Sequence, residues 1–246
     1  MENLSVFLLP GLVTDARLWK SQISALAGLA HCSVGDLTGS DTIPDLATKA
    51  LAQAPAGRFV LVGLSLGGYV ALEIMRQAPE RVLALALLDT SARADTPEAT
   101  EGRRKAIALA ETDFPAVIKA LVPKLLHPSQ LQDVAVVGLV TAMAMEAGKD
   151  VFQSQQKAIL GRVNSRPFLP EIQCPTLVLC GREDAITPIE MHEEMVSGIP
   201  ISRLEIIEKC GHLSPLGQPH QVSIALRRWL LEGLSGLPAH DGLIMS

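Results

Sequence analysis

Arg58-Phe59-Val60-Leu61-Val62-Gly63-Leu64-Ser65-Leu66-Gly67-Gly68-Tyr69-Val70-Ala71-Leu72-Glu73-Ile74-Met75-Arg76-Gln77 is the stretch that decides how this chain is read. Arg58–Gly63 is a short apolar run and reads as a buried strand, whereas Ser65–Gln77 carries its apolar residues at helical spacing. The strand passes into the helix through Gly63-Leu64-Ser65-Leu66-Gly67, a G-x-S-x-G sequence. Chance alone yields that triplet in roughly one in twelve chains of this length, so its setting carries the meaning. A tight strand-to-helix turn lifts the Ser65 hydroxyl above the sheet edge. Gly63 and Gly67 lack a Cβ and let the two elements approach. The helix N-terminus behind the serine favours negative charge developing on a bound carbonyl. The plainer alternative is a glycine-rich turn with a helix-capping serine.

Short apolar runs alternate with amphipathic ones on both sides of this stretch. Ser5–Leu9 reads as a strand ending at Pro10-Gly11, Asp15–Leu29 as a helix, and Cys32–Leu37 as a weaker strand. Ile43–Gln53 reads as a helix that Pro44 opens. Arg81–Leu88 is a buried strand closed by Asp89. Pro175–Cys180 and Arg203–Glu208 are the last two strands, and Gln218–Leu231 is the final amphipathic helix. The pattern predicts an α/β fold, a mostly parallel sheet of about six strands flanked by helices. From about Ser91 to Pro170 the rhythm breaks into helical patterns only (Ala99–Glu111, Phe114–Leu125, Ser129–Gln156), which predicts a small helical cap inserted between strands. The expected organisation is a core of residues 1–90 and 171–232, a cap of residues 91–170, and a tail of residues 233–246.

A serine hydroxyl needs a base to attack at neutral pH. Of six histidines, His212 follows the last apolar strand and precedes a helix, at the sheet edge that carries Ser65. His31, His127, His192, His220 and His240 have plainer structural readings. A carboxylate after the strand ending at Cys180 reaches the far imidazole nitrogen and holds its tautomer. Asp184 is the choice, with Glu183 its neighbour and Asp89 a rival whose alternative is to cap the turn into the cap. The oxyanion hole is expected from the backbone N–H of Leu66 and of Leu12. Phe114, Leu139, Met143 and Met145 are candidates to line an apolar substrate pocket; their plainer reading is to bury the cap's helices.

The bulk numbers agree with an enzyme of small molecules. The chain has 246 residues, 48% hydrophobic and 19% charged, with a formal net charge of −5. No basic stripe is present, which argues against nucleic acid. Cys32, Cys174, Cys180 and Cys210 form no C-x-x-C pair and read as reduced thiols. The start lacks a charged signal-peptide region, and no uncharged apolar run is long enough to span a membrane. A cytoplasmic monomer or homodimer is expected. No ligand-spaced His, Cys or carboxylate cluster is visible, so neither a metal nor another cofactor is expected.

Taken in order, these motifs resemble the α/β-hydrolase superfamily, in its small single-domain serine esterase-like branch, over about residues 4–232. Leu9-Pro10-Gly11-Leu12 with Trp19 downstream, Gly63–Gly68, Gly181–Pro188, and Gly211-His212 with Pro219 and Trp229-Leu230 carry the likeness. The resemblance implies a Ser65–His212–Asp184 triad cleaving a small or medium acyl ester, a helical cap over the pocket, and a Trp19 that packs the first helix. Thioester hydrolysis, carbon–carbon bond cleavage and perhydrolysis use the same triad. A hydrolase-like receptor with little turnover is the alternative from another class. Three departures stand out. Pro10-Gly11 replaces the usual His-Gly, which removes a polar support for the Leu12 loop. Asp36-Leu37-Thr38-Gly39-Ser40-Asp41 is a shortened loop, and Gly217 replaces a common glutamate. The family's usual N-terminal hairpin is also not expected here. Activity is predicted to survive exhaustive EDTA treatment; loss of activity that zinc or manganese restores contradicts the serine reading.

Overall fold

Neighbouring side chains along each strand point to opposite faces of the sheet, and both faces here are apolar. In a computed structural model, which describes residues 4–234, the strands are β1 (Leu4–Leu9), β2 (Ala30–Val34), β3 (Phe59–Leu64), β4 (Val82–Leu88), β5 (Thr176–Gly181) and β6 (Ser202–Ile207). They form one sheet in the order β2-β1-β3-β4-β5-β6, with every neighbouring pair parallel. The helices are α1 (Lys20–Leu26), α2 (Ile43–Gln53), α3 (Leu66–Gln77), α4 (Pro97–Leu125), α5 (Val134–Leu160), α6 (Ile189–Gly198), α7 (Ser214–Gly217) and α8 (Pro219–Leu234). Val6, Leu8, Val60, Val62 and Ala86 bury one sheet face with Leu26 of α1 and Leu226 and Trp229 of α8. Phe7, Leu9, Leu61, Leu85 and Leu87 bury the other with Leu46 of α2, Val70 and Ile74 of α3 and Met195 of α6. Burial on both faces is why these strands read as continuous apolar runs. Trp19 is fully buried in the first core, as the resemblance implied.

The departures from the sequence reading have local causes. The expected helix over Asp15–Leu29 divides into a 3₁₀ turn at Ala16–Trp19, capped by the Asp15 side chain, and the short α1. Gly28, at φ 81°, turns the chain into β2, which pairs with β1 from Ala30 onward. That edge strand is only half-buried, so its apolar signal is weak. The expected pair of helices over Ala99–Glu111 and Phe114–Leu125 forms the two arms of α4. The bend is at Asp113 (φ −150°, ψ 72°), whose carboxylate accepts the Ala116 N–H and starts the second arm. A 3₁₀ turn at Gln130–Gln132 precedes α5, which bends at Gly148. The sequence reading did not mark α6. The segment between β4 and β5 contains helices and 3₁₀ turns and, among the described residues, no strand. Of the tail expected from Gly233, the first two residues end α8 and residues 235–246 lie outside the described residues.

The sheet order places the site. The chain leaves β1 for β2 on one side, and leaves β3 for β4 on the other. Ligands of such sheets bind in the crevice beyond the strand C-termini where the order reverses. The loops at Gly11 and Ser65 both open there. The approach of α3 to this edge is close. A Cβ on Gly63 would lie 2.3 Å from the Gly67 carbonyl oxygen, and one on Gly67 would lie 2.3 Å from the Leu9 carbonyl oxygen. Both obstacles are backbone and cannot rotate aside. Gly63→Ala is therefore expected to cost about 3 kcal/mol, high in the range for overpacking, and to lower the melting temperature by roughly 6–12 °C. Gly102→Ala on α4, where a Cβ meets no atom within 4 Å, is the control. Equal melting temperatures for the two variants would show that the close approach is not needed.

Candidate active site

Ser65 stands between β3 and α3 at φ 53° and ψ −110°, a conformation side-chain-bearing residues seldom adopt. Its N–H donates to the Leu88 carbonyl of the neighbouring strand at 3.0 Å, which holds the turn in place. Its Oγ lies 2.8 Å from Nε2 of His212, in the loop after β6. Nδ1 of His212 lies 2.8 Å and 3.0 Å from the two oxygens of Asp184, in the loop after β5. The structure thus brings Ser65, His212 and Asp184 into one hydrogen-bonded line. Exposure of His212 is 2% and of Asp184 4%, so water does not compete for these contacts.

Asp184 is held by the residues that follow it. The N–H groups of Ile186 and Thr187 donate to Oδ1 at 2.8 Å and 3.0 Å, and the Thr187 hydroxyl donates to Oδ2 at 2.6 Å. Burial alone would raise the Asp184 pKa. The charge of His212, its hydrogen bond and the Thr187 donors outweigh burial and hold it below the usual value. For His212, burial pulls the pKa down, but the Asp184 carboxylate, by charge and by hydrogen bond, brings it above the ordinary imidazole value. Glu183 has a structural task beside them. Its N–H donates to the Cys210 carbonyl and its carboxylate accepts the Cys210 N–H, each at 2.9 Å, so it ties the acid's loop to the base's loop.

The sequence offered Asp89 as a rival to orient His212 or as a cap on the turn into the helices; among the described residues its carboxylate bonds neither. It is fully buried, with Oδ1 accepting the Gly181 N–H at 3.0 Å and Oδ2 accepting the Ser214 N–H at 3.1 Å. Its strand, β4, lies between the strand of Ser65 and the strand of Asp184. The carboxylate therefore bridges the end of β5 to the segment behind His212. Burial and then the Asp184 charge push its pKa up to about 7.

The cleft that contains Ser65 and His212 has about 70 Å³ of free space and is lined chiefly by apolar side chains, among them Leu12, Leu121, Leu125, Ile159 and Ile186. The expected lining residues are elsewhere, which corrects the sequence reading. Phe114 is buried against Phe152, with ring centroids 5.6 Å apart. Met143 faces a separate cavity beside Asp36. Leu139 is half-buried outside the cleft, and Met145 is 41% exposed. The bends in α4 and α5 set which turns of these helices reach Ser65, and apolar periodicity does not encode them. The polar lining residues Arg103 and Gln156 went unnoticed for the same reason.

Leu12 lines the cleft, whereas the Leu66 side chain is buried in the core, so only its N–H is available. Among the described residues neither N–H has a protein acceptor, and Leu66 heads α3, where free donors are expected. The loop does not lack polar support, contrary to the sequence expectation. Gln155 of α5 accepts the Val13 N–H at 2.8 Å and donates to the Leu37 carbonyl at 3.0 Å. Val13 adopts φ 46° to make this contact. The thiols are remote from such work: none is paired, and burial pushes Cys174 up to about 11 and Cys180 up to about 12. Buried His192 accepts the Thr90 N–H, and burial lowers its pKa to about 4.

Comparison with known proteins agrees with this arrangement. Residues 6–225 match the model of the alpha/beta hydrolase family. The chain belongs to the α/β-hydrolase family. A thermophilic esterase from Thermogutta terrifontis, solved with malate bound, superimposes with a TM-score of 0.85 at 32% identity, over 94% of this chain and 90% of that one. A pimeloyl-[acyl-carrier protein] methyl ester esterase of Neisseria meningitidis is 29% identical over 245 residues, covering 93% of each chain. The enol-lactonase of Burkholderia xenovorans shares the fold, with a TM-score of 0.85 at 22% identity over 94% of this chain and 92% of that one. This α/β hydrolase has no helix, among its described residues, long and apolar enough to cross a membrane.

The electrostatics of the three side chains predict a pH profile. Only neutral imidazole accepts a proton, so kcat/KM rises with pH through a midpoint above that of an ordinary imidazole. Asp184→Asn removes the charge that raises it, and the midpoint falls. The same change favours the wrong tautomer and is expected to lower turnover by about 10⁴. Asp89→Asn keeps Asp184 on His212 and is expected to alter turnover within about tenfold. Its amide opposes one of two backbone donors, so the larger effect is a lower melting temperature. A folded Asp184→Asn protein with near-normal turnover, beside an inactive folded Asp89→Asn protein, reverses these assignments.

Proposed function

We propose that this hydrolase cleaves a small or medium carboxylic ester through an acyl-enzyme on Ser65. The observation that carries the reading is the continuous line from Asp184 through His212 to Ser65 Oγ, with its 2.8 Å contacts. Ser65 Oγ attacks the ester carbonyl carbon while His212 Nε2 takes its proton. The negative charge formed on the carbonyl oxygen is met by the N–H groups of Leu66 and Leu12. Imidazolium, steadied by Asp184, then gives its proton to the leaving alcohol as the carbon–oxygen bond breaks. Water enters, His212 takes a proton from it, and attack on the acyl-serine releases the acid and restores the hydroxyl. The apolar cleft suits an aliphatic acyl or alcohol part. The names of the related esterases support ester cleavage as the reaction class. A receptor without turnover does not need a base held this well against its nucleophile.

The test is covalent labelling. A fluorophosphonate is expected to add once, on the peptide that contains Ser65, and to abolish hydrolysis of p-nitrophenyl acetate. Ser65→Ala is expected to lower turnover by on the order of 10⁶, as when a triad acts as a unit. Labelling at another residue, or esterase activity that persists in the folded Ser65→Ala protein, contradicts the assignment.

A further inference from the structure

One cation faces the cleft among apolar side chains. Of the residues that line it, Arg103 of α4 is the sole Lys, Arg, Asp or Glu among the described residues. Its Nε bonds Asp95 Oδ2 at 2.7 Å and its Nη1 donates to Gln156 Oε1 at 2.8 Å. Asp95 does not neutralise it, because the same carboxylate also binds Arg162. Arg162 Nη2 lies 2.7 Å from Asp95 Oδ1. Two guanidiniums share one carboxylate, which leaves one net positive charge in the cluster. The side chains of Asp95, Arg162 and Arg103 are 5%, 9% and 20% exposed, so solvent reaches Arg103 most, on the member that lines the cleft. Arg162 is otherwise engaged, with the Arg93 and Ile159 carbonyls and with the Tyr69 ring 4.5 Å from its carbon. The Nη2 of Arg103 has no protein partner among the described residues.

An excess cation at the wall of an apolar cleft is costly unless an anion meets it. A guanidinium with a free N–H matches a carboxylate in shape and charge. We infer that the substrate is an ester that also carries a carboxylate, on its acyl or its alcohol part, and that Arg103 binds that carboxylate and sets specificity. The inference rests on the ester-hydrolase reading and narrows it. Arg103 and His212 line the same cleft, so one small molecule can meet both groups. The neighbouring Gln156 fixes the guanidinium plane, and the Leu121 and Ile159 side chains accommodate the carbon chain between the two ends.

The experiment compares matched pairs of esters. In the acyl arm, mono-p-nitrophenyl glutarate is set against p-nitrophenyl butyrate. In the alcohol arm, 4-butyryloxybutanoate is set against butyl butyrate. The wild-type protein is expected to favour the carboxylate-bearing member of at least one pair by tenfold or more in kcat/KM. In Arg103→Gln that ratio is expected to fall to about one, with Arg103→Lys between. Asp95 keeps its bond to Arg162 in both variants, which favours an intact fold. Should Arg103→Gln fail to fold, inhibition of the wild-type protein decides. Free glutarate is expected to compete with substrate, and glutaramide of equal length is not. No preference for charge in either arm, a preference that survives in folded Arg103→Gln, or equal inhibition by glutarate and glutaramide overturns the inference. If no ester is cleaved, neutral ones included, it is the hydrolase reading that fails. Glutarate binding, read as a rise in melting temperature of the wild-type protein that Arg103→Gln loses, then still reports on the cation.

Discussion

The helix behind Ser65 touches the sheet backbone to backbone. No side chain separates Gly63 from Gly67, or Gly67 from Leu9, since a Cβ at either glycine would lie 2.3 Å from a carbonyl oxygen. Packing this close forces the chain to reverse within one residue between β3 and α3. Ser65 is that residue, and it accepts φ 53°. Its side chain then projects from the sheet edge instead of into either core. The strain is maintained by the surroundings: the Ser65 N–H bonds Leu88, and its carbonyl accepts both the Thr90 hydroxyl and the Gly68 N–H. A looser turn would relax the serine into an ordinary cap and carry its hydroxyl away from His212.

Around that fixed hydroxyl, three loops are tied to one another by carboxylates. Glu183 joins the Asp184 loop to Cys210, and Asp89 joins Gly181 to Ser214. Two buried acids, Asp89 and Asp184, approach one histidine, yet their environments differ. Asp184 has the imidazole and a hydroxyl donor, and its charged form is stabilised. Asp89 has two backbone donors and no cation in contact, so burial prevails and its pKa rises to about 7. The group that faces His212 is thereby the one that stays ionised while the imidazole gains and loses its proton. This separation of two carboxylates by environment fits one as the orienting acid and the other as a tie between loops.

The sheet was legible because each interior strand is buried on both faces and shows as an unbroken apolar run. The serine follows such a run at once, and the acid and the histidine could be placed because each lies within five residues of a strand end. Short-range spacing carries that information. What escaped notice depends on contacts distant in sequence. Gln155 reaches Val13 across 142 residues, and Asp89 reaches Ser214 across 125. Neither glutamine nor aspartate at those positions differs in pattern from a solvated residue. Helix α6 was missed because its exposed face, Glu190 and Glu193 among it, dilutes the apolar stripe that Met195 anchors. The pocket lining was misplaced for a geometric reason. The bends at Asp113 and Gly148 re-aim whole helical turns, and a one-turn error exchanges a residue that faces Ser65 for one that faces a neighbouring helix.

The helices between β4 and β5 also bear on the chemistry they cover. Gln155 of α5 braces the Leu12 loop, so a donor of the proposed oxyanion hole is positioned from these helices and not only from the sheet. The next residue, Gln156, holds Arg103 of α4. Successive residues of one helix therefore point to different parts of the site, one to the core loop and one to the cleft wall. Movement of α5 would disturb both together. A substrate that engages Arg103 presses on the same helix pair that braces Val13, through Gln156. If the inferred carboxylate binding holds, occupation of the cation and order in the Leu12 loop are coupled, with binding at the far end of the substrate helping to hold the donor at the reacting end. Binding energy used in this way appears as turnover as well as affinity.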